Sequence, residues 1–528
     1  MLLRVILSLA VAVVGAQVTR KLYKFVHWHF FSAFRHIPGP PNPSWIRGNF
    51  GSLTLAKTQE WQAQYGPTFK FHTLFSATEL YTIDTAALHR IVNLSEIYQK
   101  APLVRTRLSS LLGQGLLIAE DEEHTKLRKI MSPAFGPSQV RGLTQLFIDK
   151  SLELSEFWAG RPTEIDGWAR IDVMVGLKGM ALDVIGLAGF NYHFNSLDET
   201  KSPTELDGAF QQVFVQITSK NIGPFIRARF PITRFFLPHS KKLTDARKTM
   251  DRIGLQLLQD AKAQTLLGEK DYDRRDVLSL LVKSNMSEDI SESQRLSDTV
   301  VIAQLPTFFV AGHETTSTAT TWALYALAMH PEVQTTLRTE LLSMGTDAPS
   351  LDALNGLPYL ERVVREVMRL HSPVLFTNRM AMQDDILPLG TPYTDTRGVQ
   401  HNSIFIAKGQ MIWVPIAGLN RDPRIWGPDA AEFKPDRWDN VPEAANAIPG
   451  VWAHLFSFLG GPHNCIGWRF SLAEMKSLLY ILIRTFEFEL AVSPVKITTV
   501  STAVQRPVVI GEEDKGPQLP MRVRRVQG

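Results

Sequence analysis

The chain has 528 residues, of which 44% are hydrophobic, 20% are charged and a single one is cysteine, and its formal net charge is +4. These values exclude a disordered or collagen-like chain, a disulfide framework, and a zinc site built from several thiolates. The mild charge gives no support to nucleic-acid binding, and the scarcity of cysteine suits a reducing compartment.

In chain order, Leu2–Val18 is apolar apart from Arg4, Ser8 and Gln17. It has the length and composition of a short transmembrane helix. Arg20, Lys21 and Lys24 follow, then the aromatic belt Phe25–Phe31. The positive-inside rule puts that basic flank in the cytosol. A cleaved signal peptide is the competing reading, with Val14-Gly15-Ala16 as the cleavage site. The expected organisation is a membrane anchor over 1–19, a basic, aromatic and proline-rich hinge over 20–43 that includes Pro38-Gly39-Pro40-Pro41, and one large body over 44–528. Asn93 and Asn285 stand in glycosylation sequons.

Phe69-Lys70-Phe71 and Glu79–Ile83 alternate as short strands. From Asp121 to Met368 the period is mostly helical. Asn221–Lys242 mixes phenylalanines with arginines and lysines, as either a core helix with a solvated side or a second membrane-touching surface. Strand signals return over 376–413, and a helix is expected from about Gly467 to Thr485. The fold class is mainly α (α+β) with small sheets.

No Walker sequence, HExxH, GxSxG or complete GxGxxG is present. The informative stretch is Phe458-Leu-Gly-Gly461-Pro-His463-Asn-Cys465-Ile-Gly467. A cysteine just before a helix N-terminus is expected to have a stabilised thiolate. Gly461 permits a tight turn, Gly467 permits close approach of something flat, and Phe458 can pack beneath it. One axial thiolate with a planar ligand describes haem iron, and the bland alternative is a buried structural cysteine.

At this point the sequence resembles the cytochrome P-450 family, the haem-thiolate monooxygenases. The family pattern F-x-x-G-x-R-x-C-x-G is matched with His463 where arginine is usual. Ala311-Gly312-His313-Glu314-Thr315-Thr316 resembles the oxygen-activation motif, Glu366-Val-Met-Arg369 the E-x-x-R motif, and Phe433–Trp438 the P-x-R-F segment with Trp438 for phenylalanine. The resemblance implies the P-450 fold, a haem with Cys465 as its metal ligand, and Glu314 and Thr315 as the acid–alcohol pair that delivers protons for O–O cleavage. It makes Glu366, Arg369 and Arg437 a structural charge triad. It places His124, Arg128, Arg379 and His463 as cations for the haem propionates, with His124 standing where tryptophan is usual. Ala311 and Gly312 either leave room for a small molecule or serve helix packing. Thr315 can bond back to the carbonyl of Ala311, and Pro306 should bend the helix at or before that turn.

The implied function is haem-dependent insertion of one oxygen atom from dioxygen into an apolar small molecule. The expected pocket walls, near Tyr98–Leu117, Phe210–Phe225, Val301–Ala311, Val374–Asn378 and Val500–Val504, carry no obvious charge and suit a terpenoid or another secondary metabolite. The motif style resembles fungal members. With no dinucleotide fingerprint, the family implies an NADPH-dependent flavoprotein reductase as electron donor, meeting a basic face for which Lys126, Lys129 and Arg469 are candidates. Membrane lipid is the other partner, and the endoplasmic reticulum, with the body facing the cytosol, is the expected location. The alternatives are a haem-thiolate isomerase or dehydratase that does not use dioxygen, and a non-catalytic haem-binding membrane protein.

Overall fold

The computed structural model describes residues 32–218, 241–267, 276–286, 295–501 and 504–526, with isolated positions before residue 20. Apart from those isolated positions, the expected anchor over 1–19 lies outside the described residues, as do the aromatic belt and the segment 221–240. The chain forms two compact units, one of residues 1–101 and 376–419, the other of residues 102–375 and 420–528.

The first unit is built on a five-stranded sheet ordered Thr68–His72, Thr78–Thr82, Met411–Val414, Thr377–Ala381, Tyr98–Gln99. The first two strands form the alternating hairpin expected from sequence, paired Phe69 to Tyr81. Its core face is aromatic: Phe69 stacks on Tyr81 at 4.5 Å, and Phe71 meets Trp413 edge-on at 5.3 Å. Such pairs add about 0.5–1.5 kcal/mol each beyond burial. Asp84 caps the helix Thr85–Asn93 by accepting from the Ala87 N–H at 3.1 Å. Arg90 from that helix clamps Asp385 through two bonds of 2.6 and 2.8 Å, and the Tyr98 hydroxyl donates to the same carboxylate at 2.6 Å. The proline-rich segment is docked onto this unit. The Lys70 N–H donates to Pro38 O at 2.9 Å, and Asn49 Nδ2 donates to Pro41 O at 3.0 Å. Only glycine allows this approach, because a Cβ at Gly39 would stand 1.9 Å from the Lys70 carbonyl oxygen.

The second unit is organised around the helix Gln304–Met329, which is buried along most of its length. Against it pack Val173–Phe190, Pro358–Leu370 and Trp468–Thr485. Among the described residues Val173–Phe190 is the one helix long and apolar enough to cross a membrane, and it is largely buried in this core. Asp172 caps its start, and Asn191, left-handed at φ 52°, ends it. Pro306 lies in the first turn of the central helix, where its missing N–H costs nothing, and the preceding short helix breaks off at Ala303. Three antiparallel strands, Ala169–Asp172, Pro520–Arg525 and Phe486–Leu490, close one edge, and the hairpin Ile497–Ser501/Gln505–Val509 is separate. Phe210, in a segment expected to wall a pocket, instead joins the aromatic core at 4.5 Å from Phe309. The Asn285 amide is buried and spent on the backbone of Leu296, which removes it as a glycan acceptor.

Candidate active site

Cys465 sits in a loop ahead of the helix Trp468–Thr485, as the sequence indicates. Its N–H donates to Phe458 O at 2.9 Å, which closes the loop across the two ends of the motif. Gly461 has φ +66°, and a Cβ on its neighbour Gly460 would stand 1.7 Å from Pro449 O. Phe458 is buried between Trp452 and Trp468, at centroid distances of 5.7 and 6.5 Å.

The thiol corrects one expectation. The Gly467 N–H bonds to Cys465 sulfur and Arg128 adds an attractive charge, but burial dominates and pushes the thiol pKa up. A thiolate here calls for a metal, whose charge deprotonates a coordinating thiol outright. Cys465 is nevertheless accessible to a water-sized sphere. Accessible and desolvated together, it opens onto interior space rather than bulk solvent.

At Gly467 a Cβ would stand in ordinary van der Waals contact with the Phe135 ring, 3.9 Å away. One further feature fits a flat haem. The central helix, buried from Gln304 to Phe309 and from Thr316 to Leu324, is exposed at Ala311 and half-exposed at Gly312, His313 and Thr315. Gly312 belongs to the packing: a Cβ there would come within 2.8 Å of Ile185. Ala311 alone carries the room expected of the pair. Thr315 Oγ1 donates to Ala311 O at 2.6 Å, as expected.

The cations gather on the helix Asp121–Met131, whose acidic first turn and basic last turn complement its dipole. Arg128 holds the cysteine loop itself, with Nη2 donating to Asn464 Oδ1 at 2.6 Å and Nη1 to the Asn464 carbonyl. His124 stacks on His463 with centroids 3.8 Å apart. His463 Nε2 lies 3.0 Å from Glu120 Oε2, a carboxylate that the motif reading did not include. Arg379 belongs to the first unit, where it is buried and donates to Thr377 Oγ1 at 3.0 Å and Asn378 O at 2.8 Å.

The triad forms as the motifs imply, with more partners. Glu366 and Arg369 are fully buried and joined by bonds of 2.8 and 2.9 Å. Arg437 Nε stands 3.4 Å from Glu366, and the Lys434 N–H donates to it at 2.9 Å. Trp438, in place of phenylalanine, donates its indole N–H to Glu366 Oε2 at 3.1 Å. The remaining Arg369 donors reach the carbonyls of Ala430, Asn420 and Glu432.

Lys178, Arg506 and Glu474 had no sequence signal. Glu314 is buried beside Lys178 Nζ at 3.3 Å, His313 Nε2 at 3.5 Å and Arg506 Nε at 3.7 Å. Burial alone pushes its carboxyl up, but the His313 hydrogen bond and the charges of Lys178 and Arg506 outweigh it and hold it at about 2. Glu474, on the helix after Cys465, is buried next to Thr316, and burial pushes its carboxyl well above the usual range.

Known proteins resemble this chain in sequence. The cytochrome P450 family model matches residues 38–509. "Cytochrome P450 monooxygenase 205" of Postia placenta is 49% identical, covering 98% of both chains. "Cytochrome P450 monooxygenase 128" of the same fungus is 48% identical over 94% of this chain and 93% of the relative. "Cytochrome P450 monooxygenase claQ" of Ampulloclitocybe clavipes is 35% identical over 93% of each. A desolvated thiol facing interior space, an open helix window and a match over most of the chain lead to one conclusion: the chain belongs to the cytochrome P450 family, oxidoreductases that bind haem through a cysteine thiolate and carry out monooxygenation.

Proposed function

We propose that this enzyme is a membrane-tethered monooxygenase of the endoplasmic reticulum, its body facing the cytosol, that inserts one oxygen atom into an apolar skeleton such as a terpenoid or another secondary metabolite. Electrons come from an NADPH-dependent flavoprotein reductase. The observation that carries the substrate class is the window on the central helix, where the accessible side chains of Val310, Ala311 and Thr315 offer hydrocarbon and one hydroxyl. Such a lining binds apolar molecules and orients them with few polar contacts.

When bound, haem would supply the dioxygen chemistry, and the chain's residues do the rest. Cys465 would hold the haem iron through its sulfur, which the Gly467 N–H bonds, while Arg128 steadies the loop through Asn464. Arg128, His124, His463 and Arg379 are the cations available for the propionates, Arg128 and Arg379 with the fork geometry that suits carboxylates. Glu314 and Thr315 carry protons. Lys129 and Arg469 are exposed, and Arg469 lies over the Trp468 ring at 4.0 Å. Lys129 follows in sequence the arginine that holds the cysteine loop and Arg469 follows Cys465 by four positions, which keeps both as candidates for a basic docking face for the reductase. Lys126 is turned to the Arg295 carbonyl at 3.3 Å. The anchor rests on Leu2–Val18 and the basic flank after it.

The test is to supply microsomes containing this protein and a reductase with NADPH and a panel of terpenoids. A product heavier by one oxygen atom, formed only with NADPH and dioxygen, is expected. A rearranged product of unchanged mass, formed without NADPH, would contradict the proposal and favour an isomerase.

A further inference from the structure

We infer that His313 is the positioning residue that supplies Glu314 with its proton. The inference rests on the relay role proposed for Glu314 and follows from hydrogen-bond bookkeeping. Nδ1 of His313 lies 2.7 Å from the carbonyl oxygen of Phe309, one turn earlier. A carbonyl only accepts, so Nδ1 carries a hydrogen. Nε2, on the other side of the ring, lies 3.5 Å from Glu314 Oε1. A neutral imidazole has one N–H, and here it is already spent. Its second nitrogen would set a lone pair against a carboxylate oxygen, so a proton must sit between Nε2 and Oε1, on one or the other.

The surroundings decide which. Lys178, from the helix Val173–Phe190, and Arg506, from the strand Gln505–Val509, flank the carboxylate and favour its ionised form. The shared proton therefore rests on the imidazole. Lys178 and Arg506 cannot replace His313 as the donor, because ammonium and guanidinium groups keep their protons at neutral pH whereas imidazole exchanges its own there.

The third neighbouring element, the helix Glu205–Thr218, adds one carboxylate and one ring. Asp207 interacts electrostatically with His313, and the Phe214 ring stands edge-on to the imidazole at 6.2 Å. Phe214 also takes Lys178 at 5.9 Å and Arg506 at 4.8 Å over its ring, so one aromatic covers all three positive groups. The side chain of His313 is 13% accessible and that of Glu314 4%, which puts the imidazole on the wetter side of the acid. In the transfer the Nε2–H bond breaks and an O–H bond forms on Glu314. Imidazolium and carboxylate become neutral imidazole and carboxylic acid, no electrons move, and water restores the proton to the ring.

The experiment uses the full-length, haem-loaded protein in its reduced carbon monoxide form, which is diamagnetic. Nitrogen NMR of histidine-labelled protein, with His313→Gln to assign the signal, should show both ring nitrogens protonated at neutral pH. In Glu314→Gln the same ring should become neutral. A neutral ring in the wild type, or one indifferent to Glu314→Gln, overturns the inference. In turnover, His313→Gln should lower kcat by about tenfold or more with KM unchanged. His313→Lys restores a fixed cation and should not restore coupling; full rescue by lysine makes His313 a structural charge and overturns the proposal. If His313→Gln does not hold haem, the collapse of one doubly protonated ring signal between wild type and Glu314→Gln still decides. If Glu314→Gln and Thr315→Ala leave coupling intact, the relay reading itself fails. If they impair coupling while His313→Gln does not, the failure belongs to His313 alone.

Discussion

Glu366→Ala is expected to cost about 3–5 kcal/mol of stability and to empty the protein of haem. Removing this carboxylate leaves Arg369, fully buried, without its counter-charge. The Arg437 guanidinium, the Trp438 indole N–H and the Lys434 N–H lose an acceptor at the same time. Each buried donor left unpaired costs about 1–3 kcal/mol, and the chain cannot relax to water at a site so deep. A domain stable by about 5–15 kcal/mol loses a large fraction of its margin. The loss reaches the cysteine because Arg369 also ties down the carbonyls of Asn420, Ala430 and Glu432, and Asn420 in turn accepts from the Phe456 N–H at 2.9 Å and donates to Ser457 at 2.8 Å. Thermal unfolding and haem content measured side by side check this. A variant that unfolds at the wild-type temperature with its haem retained would remove the triad from the account. Glu366→Gln, which keeps the volume and some of the acceptor capacity, should fall between the two.

Thr315→Ala should leave stability and haem content near wild type while lowering product formation by about a hundredfold or more. Its hydroxyl hydrogen is committed to Ala311 O at 2.6 Å, which leaves the oxygen lone pairs to accept a proton donor at the helix window. Without that acceptor, protons arrive at the wrong place and reducing equivalents leave as hydrogen peroxide. Consumption of NADPH, peroxide released and product formed, measured together, give the partition. An unchanged ratio of product to NADPH would take Thr315 out of the mechanism. Thr315→Ser, which keeps the hydroxyl, should retain most of the coupling.

What the sequence disclosed and what it withheld follow from the range of the interactions. The cysteine loop was legible because its requirements are local: Gly461 needs a positive φ, and Phe458 bonds back to Cys465 only seven positions away. The hairpin around Phe69 and Tyr81 was legible from alternation. The charge state of the thiol was not, because burial, which no local pattern shows, outweighs the neighbouring N–H donor. Glu314 was singled out, but the cluster around it was hidden. Lys178 and Arg506 lie on a helix and a strand remote in sequence, and nothing in their neighbours marks them. Trp438 read as a departure from a motif until its indole N–H was found on Glu366. Gly312 could serve space or packing, and only the position of Ile185 decides for packing. The contact of the proline-rich segment with the sheet was not legible, because the bond from Lys70 to Pro38 joins residues too far apart for any local pattern to show.

The central claim is that Cys465 is the axial ligand of a haem. Spectra of the reduced protein with carbon monoxide test it most directly. The wild type should show the strongly red-shifted Soret band of thiolate ligation, and Cys465→Ala should lose it; a band at the position given by histidine ligation, or one that survives Cys465→Ala, would contradict the account.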